Sequence, residues 1–319
     1  MTVQLTETSP VASNVVERAV AFDVQGSEVC AIYSAPENEA PKRAVVFTHG
    51  WSGNRNGPAG ILTSTARQLA AKGCACLRFD FRGRGESGGD GLKSTLATMS
   101  EDLLGAVETL KQLSGLSKVV LFGMCSGGNI AIGSLKQIPE AESMIMLSVY
   151  PFSDGDSFGR DVHRTWHFLN VYLHKALSLN TWMRLFKGEA SLGRVFKVIF
   201  RPFLKRGENK KHEEGDAATK TAQAAQSKMV KASNNESRLA AGKEAPKKYL
   251  TSLRGDLRGV MVYGTADPDA AAALKYYSEY VDNEKLPIKF IRIDGANHNF
   301  SSAAWQRRIA EIATEFLAL

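Results

Sequence analysis

An α/β fold, a doubly wound and mostly parallel sheet with a helical cap insertion, is what this sequence of 319 residues predicts, and three features predict it. Short continuous apolar runs recur along the chain, as expected of strands buried on both faces of a parallel sheet. Segments of helical periodicity separate these runs, which is the alternation that βαβ crossovers produce. The alternation breaks off near residue 153 and resumes near residue 253, so one sheet is expected to be interrupted by an inserted segment.

Residues 15–34 alternate in strand fashion about Gln25 and Gly26 and read as an antiparallel hairpin at a sheet edge. Four compact apolar strands are then expected at 44–48, 74–81, 118–123 and 143–150, each closing on or near Gly, Asp or Pro, with helices over 61–72, 99–113 and 129–136 between them. The later part supplies a strand at 259–263, a helix near 270–281, a strand at 288–293 and a terminal helix over 303–316. The expected organisation is a core in two parts, 1–152 and 253–319, around an insertion at 153–252.

The insertion differs in composition. Trp166, Phe168, Tyr172, Leu173, Trp182, Met183, Leu185 and Phe186 crowd its first part without strand alternation, so helices are expected there. Arg194, Lys197, Arg201 and Lys205 recur at helical spacing opposite Phe196, Ile199 and Phe203, and Pro202 would end or kink that helix. It reads as a cap helix packing its apolar side on the core, with a membrane-surface helix as the alternative. Residues 207–246 are mostly Ala, Lys, Gln, Ser and Glu, with almost nothing large enough to pack, and are expected to be flexible.

A chain that is 44% hydrophobic can bury a sizeable core. Its start is polar and lacks a basic stretch ahead of an apolar run, and no stretch approaches the roughly 20 apolar residues of a membrane span, so a cytoplasmic protein is expected. The net charge of +7 is concentrated: residues 201–250 hold 12 Lys and Arg against 6 Asp and Glu. One solvated segment therefore carries nearly all of the excess, which argues against nucleic acid as a partner and leaves a weak anionic-lipid contact through the cap. Cys30, Cys74, Cys76 and Cys125 lack the paired spacing of zinc or dithiol sites, and the first three sit among apolar neighbours as structural thiols would.

Cys125 has a different setting. The run from Val119 to Asn129 is a strand entering a tight turn and then a helix, with Gly123 and Gly127 two residues before and after Cys125. This is the pattern of a nucleophile elbow, where small flanking residues let strand and helix approach closely. Ser126 is the competing apex, but it would place Met124 two residues before the nucleophile, where a side chain crowds the turn. A helix beginning just after the thiol offers its positive end, which favours thiolate.

Asp267 follows the strand at 259–263 and precedes Pro268, and His298 lies in the loop after the strand at 288–293. Nucleophile, acid and histidine thus occur in the chain order of the elbow scaffold. His298 would take the thiol proton and later activate water, while Asp267 would hold its tautomer; Asp269 and Asp294 are weaker candidates for the acid. The backbone N–H groups of Trp51 and Ser126 are expected to form the oxyanion hole, and His49 is expected to organise its loop rather than act as a second base. The segment from Asp80 to Ser87 reads as a structural turn pinned by Asp80 and its arginines, since no Gly-Lys-Ser/Thr closes it as a phosphate loop would. No metal or organic cofactor is called for.

With the His49-Gly50-Trp51 turn, the Asp80 to Ser87 loop, the elbow, Asp267 and His298 in these positions, the chain resembles the α/β-hydrolase superfamily, in particular its serine aminopeptidase S33-like and acylglycerol lipase-like members with a helical cap. A cysteine at the elbow is similar to dienelactone hydrolases, polyhydroxyalkanoate synthases and the hydrolases associated with bacterial exosortase systems. The cap sequence at 167–206 is most similar to the last of these. The resemblance implies a hydrolase acting on an ester, thioester or lactone through a covalent acyl-enzyme, with a small-molecule substrate whose acyl portion is apolar. An acyltransferase using the same three residues, or a binding protein on a hydrolase fold, are the other readings.

Overall fold

The computed structural model describes residues 3–12, 14–151 and 249–319. Among these, nine strands form one sheet in the order β1-β2-β3-β5-β4-β6-β7-β8-β9. They are β1 (Val3–Ala12), β2 (Val15–Val24), β3 (Ser27–Pro36), β4 (Arg43–Thr48), β5 (Cys74–Phe79), β6 (Val119–Met124), β7 (Ala141–Leu147), β8 (Arg258–Gly264) and β9 (Ile288–Ile293). The first three strands pair antiparallel, as does β3 with β5, while β5, β4, β6, β7, β8 and β9 run parallel to one another. The helices are α1 (Ile61–Ala70), α2 (Leu96–Ser114), α3 (Ser126–Gly133), α4 (Ala270–Asn283) and α5 (Ala303–Leu317).

The hairpin turns where its sequence requires. Gln25 and Gly26 both have positive φ, at 54° and 76°, and this pair of left-handed residues matches the right-handed twist of the strands it joins. β1 is not among the expected strands. Its Thr, Ser and Glu content gives no continuous apolar run, and it joins the sheet by backbone pairing along β2, with register shifts between Leu5 and Thr8 and between Pro10 and Ala12.

The five parallel strands with a neighbour on each side split their residues by parity between two cores, which is why their sequences are largely apolar without alternation, while β9 at the sheet edge carries exposed Lys289 and Arg292. Val46, Leu77, Leu121, Met144, Met146, Met261 and Tyr263 face the side covered by α2, α3 and α4. Val45, Phe47, Cys76, Val120, Phe122, Ile145, Leu147 and Val262 face α1 and α5. Each fully buried Val, Leu, Ile, Phe or Met adds about 1.5–3 kcal/mol relative to exposure. Arg78 breaks the pattern: it is 2% exposed on β5, and its guanidinium is paired with Glu17 at 2.9 Å, as a buried charge requires.

Several boundaries differ from expectation. The apolar run at 74–81 leaves the sheet at Phe79, because Asp80 turns to bind neighbouring loops. β7 ends at Leu147, where Ser148 takes a φ of 46°. α3 starts at Ser126, three residues earlier than expected, and a separate 3-10 turn covers Leu135–Gln137. The chain divides into one compact unit of Met1–Ser153 with Glu244–Leu319 and another of Asp154–Lys243. Tyr249 and Leu250, placed by sequence in the insertion, are buried in the core, where Tyr249 packs on the face of Gly133. The expected cap helices, the basic stripe and the stretch 207–246 lie outside the described residues. Among the described residues no helix is long and apolar enough to cross a membrane.

Candidate active site

The chain leaves β4 for β5 on one side and later places β6 on the other, so the carboxyl ends of β4 and β6 flank a topological switch point. Four loops meet the requirement for a site at this edge: those after β4, β6, β8 and β9.

At the end of β6, Cys125 is the N-cap of α3 with φ 53° and ψ −128°, a conformation that costs a non-glycine residue energy and is tolerated where surrounding structure holds it. That structure is visible. The Cys125 N–H donates to Leu147 O at 2.8 Å, and Thr48 Oγ1 donates to Gly127 O at 3.0 Å. Both flanking glycines are sterically required, since a Cβ at Gly123 would lie 2.5 Å from Gly128 Cα, and one at Gly127 would lie 2.3 Å from His49 O. A further brace has no signature in the sequence: Tyr277 OH donates to Asn129 Oδ1 at 2.9 Å and Asn129 Nδ2 donates to Tyr150 O at 2.6 Å, tying α3 to α4 and to the chain after β7.

The loops after β8 and β9 bring Asp267 and His298 together, with Nδ1 of His298 2.8 Å from Asp267 Oδ2. Asp267 is buried, and its other oxygen accepts the Asp269 N–H at 3.1 Å. With Nδ1 given to the carboxylate, Nε2 is the ring nitrogen left for Cys125, and imidazole and thiol lie close enough for each to shift the other's protonation. The three residues named from sequence are therefore adjacent. Asp294 instead accepts from Thr265 Oγ1 at 3.0 Å, and Asp269 contributes its N–H.

The electrostatics of the pair follow from this contact. Burial drives the Cys125 thiol upward, but the hydrogen bond and charge of His298, with two bonds from Ser126, outweigh it and hold the thiol below its ordinary 9.0. Burial drives His298 downward, and its bonds and charge interactions with Asp267 and Cys125 outweigh that, lifting the imidazole from 6.5 to about 10. Both shifts have one cause, since each group favours the charged form of the other.

Ser126 follows Cys125 as the first residue of α3, and the Trp51 N–H donates to Ser126 Oγ at 2.6 Å. One of the two expected oxyanion donors is therefore bonded to a side-chain hydroxyl, a partnership that no local pattern signals. His49 is 1% exposed; its Nδ1 lies 2.8 Å from Gly50 O and its Nε2 accepts from the Phe81 N–H at 3.3 Å. Burial, outweighing the Gly50 bond, pushes its pKa down, so it is a neutral brace between two loops.

The Asp80 loop is pinned differently from expectation. Asp80 binds Arg55, through its backbone N–H at 2.6 Å and its guanidinium, and accepts the Glu86 N–H at 3.0 Å. Arg82 turns to Asp102 and Glu101, and Arg84 donates to Trp51 O at 2.8 Å. Arg55 stands in a polar loop with no local pattern to mark it. Among the described residues, Asp267, Asp269 and His298 place ligand atoms within 4.8 Å of one another, but a cation held there would have to break the bond between His298 and Asp267.

Residues 39–188 match the family model described as serine aminopeptidase, S33. The quorum-quenching protein AidA of Acinetobacter baumannii is 30% identical over 145 residues, 43% of this chain and 45% of that protein, so the match spans less than half of this curated relative. Among solved structures, a dienelactone hydrolase from Anabaena variabilis aligns with a TM-score of 0.56 at 14% identity, covering 96% of this chain and 98% of its own. An esterase from Pyrococcus furiosus aligns at 0.57 and 16% identity, covering 95% and 90%. At these identities the likeness is one of fold.

Proposed function

We propose that this chain, which has the α/β-hydrolase fold and is similar to the serine aminopeptidase S33 family over residues 39–188, hydrolyses carboxylic esters, thioesters or lactones with Cys125 as nucleophile, His298 as acid and base, and Asp267 as the group that orients His298. The observation that carries this reading is the contact between a strained elbow thiol and an imidazole whose far nitrogen is held 2.8 Å from a buried carboxylate.

The thiolate of Cys125 attacks the carbonyl carbon, and the electron pair of the C=O bond moves onto oxygen. Collapse breaks the bond to the leaving oxygen or sulfur, which takes the proton from His298 Nε2, and leaves an acyl thioester on Cys125. Water then gives a proton to Nε2 while its oxygen attacks the thioester carbonyl; the second collapse expels the thiolate and releases the acid. Asp267 keeps the proton on Nδ1 throughout and stabilises the imidazolium. The aromatic content of 161–187 supports an apolar acyl portion, and the dienelactone hydrolase among the fold relatives puts lactones in the substrate panel.

Intact-mass measurement after incubation with short-chain activated esters tests the proposal. A single acyl adduct on Cys125, absent from Cys125→Ala, is the expected result. Equal ester turnover by wild type and Cys125→Ala, or an adduct at Cys30 alone, overturns it.

A further inference from the structure

Ser126 Oγ occupies a position no oxyanion-hole residue needs to fill. It lies 2.6 Å from the Trp51 N–H, where a carbonyl oxygen bound at this edge would accept the same bond. It also borders the same narrow space as the nucleophile: a Cβ built on Gly50 would stand 3.8 Å from Cys125 Sγ and 3.8 Å from Ser126 Oγ. A hydroxyl has one proton and two lone pairs, so an oxygen that accepts from Trp51 has its own O–H to give. The Cys125 sulfur borders the same space and is the acceptor that this O–H can turn to. At 6% exposure the hydroxyl has little bulk water to turn to instead.

We propose that the Ser126 side chain is a movable third arm of the oxyanion site, which donates to the Cys125 thiolate while it occupies the Trp51 N–H, and which must yield that N–H to the substrate oxygen. This rests on Cys125 being the nucleophile. Two effects follow from the same atom. Its O–H stabilises the thiolate, and its lone pair competes with the substrate for one of two donors. As charge moves from sulfur to oxygen during attack, the O–H is within one χ1 rotation of following it. Ser126 is thus a positioning residue whose removal has opposite effects on thiolate and on substrate entry.

Three variants of the full chain test this: Ser126→Ala, Ser126→Thr and, as reference, Cys125→Ala. Alkylation of Cys125 by iodoacetamide is followed against pH, which needs no turnover and so separates failure of this proposal from failure of the hydrolase reading. In Ser126→Ala the onset of alkylation is expected to move to higher pH, and the rate below the wild-type onset to fall by about tenfold or more, as for loss of a hydrogen bond to a charged group. Ser126→Thr, which keeps the hydroxyl, should restore most of it. With an activated ester, Ser126→Ala should lower KM while lowering kcat, because the competitor for Trp51 and the thiolate donor leave together. The amide proton resonance of Trp51 should move upfield in Ser126→Ala and not in Ser126→Thr, a readout that holds even where a variant is less stable. An unchanged alkylation profile together with an unmoved Trp51 amide refutes the proposal; so does a Ser126→Ala enzyme whose KM rises.

Discussion

Replacing Gly127 with alanine gives the sharpest test of how the elbow is built. A Cβ at this position would lie 2.3 Å from His49 O and 2.6 Å from Thr48 O, against about 3.3–3.6 Å for an ordinary carbon–oxygen contact. The end of β4 or the start of α3 must therefore retreat by roughly 1 Å. Both obstacles are backbone, so no rotamer change relieves them, and the cost belongs at the upper end of the roughly 1–3 kcal/mol of overpacked cores. Better helix propensity returns about 1 kcal/mol, leaving a net loss near 2 kcal/mol. Urea unfolding followed by tryptophan fluorescence should show a midpoint lower by roughly 1 M, given a slope of about 1–3 kcal/mol per M. The same retreat carries Trp51 away from Ser126, so ester turnover should fall by about a hundredfold, the usual effect of a misplacement near 1 Å. Gly255→Ala is the control, since a Cβ there meets nothing within 4 Å, and its midpoint should hold. Wild-type stability and turnover in Gly127→Ala would refute the claim that close packing of strand and helix at this residue aligns the site.

Three further outcomes follow. Because the folded-state thiol is held below its ordinary 9.0 by His298, iodoacetamide should alkylate Cys125 at lower pH than an ordinary cysteine, with the rate falling as acid protonates the thiolate; His298→Asn should move that onset upward. Asp267→Asn should lower kcat by about 10²- to 10⁴-fold and bring the imidazole down from about 10, visible as a downfield histidine resonance titrating at lower pH. Tyr277→Phe, which leaves Asn129 Oδ1 without its buried donor, should cost about 1–3 kcal/mol in urea unfolding and loosen α3 without touching the reacting atoms.

Periodicity and punctuation carried most of the architecture into the sequence. The parallel strands were legible because burial on both faces leaves no polar position to hide them, and the elbow because glycine two residues either side of a turn apex answers a local steric demand. β1 was not, since a strand that joins an edge through its backbone needs no apolar signature. Asp267 and His298 were named from strand ends and chain order, and the choice of Asp267 over Asp294 rested on the same local cue.

By itself, then, the sequence determined which segments are strands, where the chain turns sharply, and which side chains stand at the ends of strands, because each depends on neighbours a few residues apart. Only the tertiary structure decided which of those ends share an edge, and so which groups touch. The Trp51 N–H finds the Ser126 hydroxyl 75 residues away, Arg55 finds Asp80 across 25, and Tyr277 finds Asn129 across 148. Strand order in the sheet sets those partnerships, and no local pattern encodes it. The lowered thiol of Cys125 belongs to the same class, since burial alone would raise it and the imidazole brought to it by the loop after β9 holds it below its ordinary value.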